Sequence, residues 1–105
     1  MGIAEKAIEH YRQGLEIIRR LGREDRIATP LNNIGLSYLS LGQYDKAIEN
    51  FRQALETDRK LENDTGIAIV LANIGEAHDS LAQFDLAVHN YSESIGMIEK
   101  IRKTA

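Results

Sequence analysis

The chain has 105 residues, 43% of them apolar and 28% charged, with a formal net charge of −3. That balance offers no basic stripe for nucleic acid, and the absence of cysteine excludes disulfides and thiolate metal sites. No apolar run approaches the roughly 20 residues of a membrane-spanning helix, and the Met1–Lys6 start has no secretory-signal core, so a cytoplasmic location with neither membrane nor nucleic acid as partner is expected.

Apolar residues recur three or four apart along the whole chain, which is helical spacing rather than the alternation of a strand. The spacing predicts five helices, at about 3–21, 26–41, 44–61, 66–81 and 84–102. The second carries the stripe Leu31, Ile34, Tyr38 and Leu41. Its Pro30, after Thr29, belongs in a first turn, where proline lacks only an amide that has no partner there. A shortened or locally bent start follows. Gly42 then ends one stripe and Tyr44 opens the next, so a tight turn joins the second and third helices. The third helix carries Ala47, Ile48, Phe51, Ala54 and Leu55. Leu61 to Gly66 reads as a helix stop and a new start, with Asp64 or Thr65 expected to cap the fourth helix. The turn before the fifth helix has Ala82 where the earlier one has Gly42. It therefore needs either another backbone conformation or some strain.

These elements repeat at an offset of forty. Asn33-Ile34-Gly35 falls on Asn73-Ile74-Gly75, Leu31 on Leu71, Leu41 on Leu81, Gln43 on Gln83, Asp45 on Asp85, Ala47 on Ala87 and Asn50 on Asn90. Tyr44 matches Phe84, Ile48 Val88, Phe51 Tyr91 and Leu55 Ile95. The N-terminal helix joins in the same register, with Lys6-Ala7-Ile8-Glu9 on Lys46-Ala47-Ile48-Glu49. The implied organisation is one domain over 1–105. It comprises a second helix of an incomplete repeat (1–22), two full repeats (23–62 and 63–102) and a short tail (103–105).

Gly35 and Gly75 allow the two helices of each hairpin to approach closely, and Ala47 and Ala87 do the same from the facing helix. Phe51 and Tyr91 are expected to fill the space between successive hairpins. A single hairpin cannot bury its stripe alone, so neighbours stack.

The ordered set Leu31, Ile34, Gly35, Tyr38, Ala47, Phe51 and Ala54 resembles the tetratricopeptide repeat. The set Leu71, Ile74, Gly75, His78, Ala87, Tyr91 and Ser94 repeats it. The period of forty is similar to the long-repeat branch seen in kinesin light chains, Leu-Gly-Asn-repeat adaptors and bacterial regulators. The resemblance implies an all-α fold, a right-handed superhelical stack of antiparallel hairpins, here two and a half repeats. The first helix of each pair lines the concave side. It also implies a non-catalytic module that binds a protein or peptide segment, with no cofactor. Carried over onto the first helices, the groove positions are Thr29, Asn32, Asn33, Leu36, Leu39 and Ser40, then Ile69, Ala72, Asn73, Glu76, Asp79 and Ser80. Asn33 and Asn73 carry amides suited to a peptide backbone, or equally to a bond with the neighbouring hairpin. Thr29 and Ile69 stand where long-repeat adaptors often carry an arginine for acidic ligands. With Leu36, Leu39 and Ile69 beside Glu76 and Asp79, the expected partner is instead an apolar segment with a basic residue.

The ends suggest an alternative. Met1-Gly2 aligns with Leu41-Gly42, so the chain opens on a second helix, as a piece of a longer array would. That helix is expected to expose Ala7 and Tyr11. Ile17, Ile18, Met97 and Ile98 stand where the middle unit has polar Thr57 and Asp58. Self-association through these residues, as a dimer or by helix exchange, is the competing expectation.

No catalytic constellation emerges. His10 and His89 align with outer positions and His78 with a packing position, and no pair has the spacing of a helical zinc site. Asp45 and Asp85 are read as carboxylates serving the starts of second helices.

Overall fold

A computed structural model describes all residues from Met1 to Ala105. Five α-helices follow one another: α1 (Ile3–Arg20), α2 (Ala28–Ser40), α3 (Tyr44–Lys60), α4 (Asp64–Ser80) and α5 (Phe84–Thr104). Each packs on the next as an antiparallel neighbour, and the assembly measures 38 × 33 × 17 Å.

One turn design is used four times. Leu21, Leu41, Leu61 and Leu81 each close a helix, and the next residue takes a positive φ: 68° at Gly22, 73° at Gly42, 53° at Glu62 and 58° at Ala82. In every turn the following amide reaches back five residues, as Gln43 N–H does to the Tyr38 carbonyl at 2.9 Å and Asn63 N–H to that of Asp58 at 2.9 Å. This is the Schellman closure, which supplies donors to the last carbonyls of a helix. Ala82 thus keeps the conformation of Gly42 and carries the strain of a side chain in the left-handed region. Glu62 does the same between the two hairpins, where no such turn was expected.

The turn through Glu62 also moves the start of α4. Asn63, not Asp64 or Thr65, is its cap: the Oδ1 of Asn63 accepts the Gly66 amide at 3.1 Å. Likewise Asp45 and Asp85 lie inside the first turns of α3 and α5, after the cap positions Gln43 and Gln83. The start of α2 is shortened as Pro30 demands. A 3₁₀ turn at Glu24–Arg26 precedes it, and Pro30 is its third residue, so the first α-type bond across this start is Leu31 N–H to the Ile27 carbonyl.

The core runs through α1 to α4. Phe51, Ile34 and Leu71 are its largest fully buried side chains, joined by Ile8, Leu15, Ala54 and Val70; none of its members comes from α5. Phe51 does not simply fill the gap between hairpins. Its ring lies directly over Gly35 of its own hairpin, in the space a β-carbon would occupy, and Tyr91 lies over Gly75 in the same way, 2.8 Å from where that carbon would be. The glycines make room for a ring rather than for a backbone. Ser94 stands in the place of Ala54, and its hydroxyl donates to the Ala68 carbonyl at 2.7 Å, so the substitution leaves no buried polar atom unpaired.

Candidate functional site

Helices α2 and α4 lie side by side and touch through Asn32 and Asn73: the Nδ2 of Asn73 donates to the Oδ1 of Asn32 at 3.0 Å. One of the two interpretations of these amides is therefore realised at Asn73, which bonds the neighbouring hairpin. Asn33 is half-buried, and its backbone carbonyl accepts the Ser37 hydroxyl at 3.0 Å.

Around this bond the twelve groove positions fall into three sets. Thr29, Leu36, Ser40, Ile69, Glu76, Asp79 and Ser80 are exposed. Asn32, Asn33, Ala72 and Asn73 are half-buried between the helices, and Leu39 is half-buried against the core. Leu36 and Ile69 are 38% and 51% exposed, so the face offers apolar surface to a partner. Its charge is acidic. Glu76 and Asp79 act on Tyr91, whose hydroxyl is held above its ordinary pKa first by burial and then by these two carboxylates.

A cavity of about 300 Å³ opens at the end of this face where the α2 and α4 N-termini meet the end of α3. Thr29, Asn32 and Ile69 line it together with Asp58, which the sequence pattern treats as one more polar surface position. Asp58 is in fact 4% exposed. Asn63 donates to its Oδ1 at 3.3 Å, and Oδ2 lies over Gly66, 2.6 Å from where a β-carbon would stand. Burial pushes its carboxyl above the usual carboxylate value, against the opposing pull of the Asn63 amide. The signal available in the sequence was the register itself, since Asp58 aligns with Ile18 and Ile98.

The residues expected to mediate self-association are less exposed than predicted. Ala7, Tyr11, Ile18 and Met97 are half-buried, because Tyr11 and Met97 pack along the edge of the core; only Ile17 and Ile98 are exposed. A larger apolar stripe was missed. Phe84, Val88, Ile95 and Ile98, at helical spacing on α5, are 60%, 63%, 56% and 49% exposed.

The histidines do not converge. His10 is exposed, with Tyr11 edge-on to its ring, and His89 pairs with Glu93 at 3.0 Å. His78 is buried, its Nδ1 2.7 Å from the Gln83 Oε1. No helix is long and apolar enough to cross a membrane.

No curated protein matches the chain. The family model described as tetratricopeptide repeat matches it over residues 1–60 and again over 26–100, two overlapping placements that span nearly its whole length. Repeats of this kind are in general non-catalytic modules for protein–protein interaction. The paired helices, the ring-over-glycine packing in each hairpin and this match agree: the chain belongs to the tetratricopeptide-repeat family.

Proposed function

We propose that the face formed by α2 and α4 binds an extended segment of a partner protein, and that the segment is apolar with a basic residue. One observation carries this reading: exposed Leu36 and Ile69 share a surface with the carboxylates of Glu76 and Asp79. Apolar side chains there supply contact area, and the acids select charge and speed encounter. The bond between Asn32 and Asn73 holds the two helices in register, so the surface is set before a ligand arrives. Calorimetric titration tests it with short peptides of leucine and isoleucine carrying one lysine or one glutamate. The lysine peptide should bind, and Glu76→Lys with Asp79→Lys should reverse the preference. Binding of the glutamate peptide alone would overturn the reading.

A second reading, self-association, is supported by the stripe of Phe84, Val88, Ile95 and Ile98 on α5. In the middle unit, the positions of Val88, Ile95 and Ile98 are Ile48, Leu55 and Asp58, all buried. A second copy covering α5 would form a dimer through this stripe. Light scattering on a dilution series decides it: a dimer lost in Val88→Glu supports self-association, and a monomer at every concentration excludes it.

A further inference from the structure

The cavity at Asp58 has a chemistry of its own. A buried carboxylate is costly unless it is paired, and Asp58 has no cation beside it. Its Oδ1 takes the Asn63 amide, while Oδ2 takes no hydrogen bond from the chain and is reached by solvent at a cavity of about 300 Å³ that Asp58 lines. The corresponding positions of the other units carry Ile18, half-buried, and Ile98, exposed, so an acid is not a constant of the repeat. We propose that this cavity is a pocket for a primary ammonium group on an apolar stem, the lysine side chain of a bound segment.

The geometry selects lysine over arginine. Only one carboxylate oxygen is open, which suits the point charge of an ammonium; a guanidinium gains most from two oxygens at once. The walls complement the stem. Ala28, Ile69 and Val70 line the cavity with apolar surface, and the methylenes of a lysine bury well along such surface. Thr29 at the same cavity adds a hydroxyl oxygen as acceptor for another ammonium proton. Gly66 keeps the site open, because any β-carbon there would press on Oδ2. The raised pKa of Asp58 agrees with an acid that awaits its counter-charge.

This pocket rests on the segment-binding reading and supplies its basic residue with a position, but the two can fail separately. The direct probe is butylammonium, with butanol as its uncharged counterpart, followed by the NMR shifts of the Gly66 backbone amide and the Asn63 side-chain amide at constant ionic strength. Butylammonium should shift both signals saturably and butanol should not. Asp58→Asn, which can still accept from Asn63, should weaken butylammonium by about tenfold or more. Asp58→Ile, which installs the residue found in register at positions 18 and 98, should do the same. Equal shifts from butanol, or unchanged affinity in both variants, would overturn the pocket. In the peptide titrations, lysine and norleucine peptides that bind alike remove the pocket and leave the segment reading. Butylammonium binding with no peptide bound at all does the reverse.

Discussion

The face of α3 that meets α4 and the corresponding face of α5 are nearly the same sequence in opposite surroundings. Ile48 and Leu55 are 6% and 8% exposed under α4, whereas their counterparts Val88 and Ile95 are 63% and 56% exposed. The middle helix buries six of its residues, and the last, although four residues longer, buries only Ala87 and Ser94. A position in a repeat array is therefore not core or surface by its own composition. It becomes core when the next hairpin covers it, as expected of a structure stabilised by nearest neighbours.

The largest effect tests that contrast directly. Leu55→Ala should cost about 2–5 kcal/mol and Ile95→Ala less than about 0.5, read from denaturant midpoints at an unchanged slope. Losses of equal size would mean that the α5 face is covered in solution, and would favour the dimer. A smaller effect compares the turns. Ala82→Gly should stabilise the chain by about 0.5–1 kcal/mol, because it removes a side chain from a left-handed backbone at some gain in unfolded-state entropy. Gly42→Ala should shift the thermal midpoint the other way. The smallest effect concerns the ends of α3 and α5, where Asp58 and Ile98 hold the same place in the repeat. Since the folded chain holds the Asp58 proton more tightly than the unfolded chain, its contribution is present in full below the ordinary carboxylate pKa. It is lost as pH rises through the raised value. Asp58→Asn should flatten that part of a stability-against-pH curve, and a curve unchanged by the substitution would show that the carboxyl is not penalised by burial.

The fold was legible because small and aromatic residues recur in register. Gly35 with Phe51 and Gly75 with Tyr91 specify where two helices meet, each ring standing in the space a β-carbon would take. Helix starts were less legible. Glu62 adopts the turn conformation that glycine usually signals, so the cap at Asn63 was hidden behind Asp64 and Thr65. The surface was the least legible part. Whether Asn73 turns to a ligand or to Asn32, and whether Asp58 is wetted or enclosed, depends on a helix from the neighbouring hairpin. The charge pattern of Glu76 and Asp79 could be seen beforehand because exposed side chains on a first helix need no partner to fix their direction.

The four identical turns carry a consequence for how such a chain can change length. Residues 22, 42, 62 and 82 share one backbone conformation, so the main chain closes every helix alike, within a hairpin and between hairpins. The backbone thus counts in steps of one helix, while the alternation of glycine-bearing and ring-bearing faces counts in steps of two. Excising a single helix with its turn would leave every bend intact yet set Phe51-type faces against one another with no glycine to receive the ring. Growth or loss of the array by pairs is in this sense enforced by side chains alone, and a chain with compensating changes at those few positions would be free to add helices one at a time.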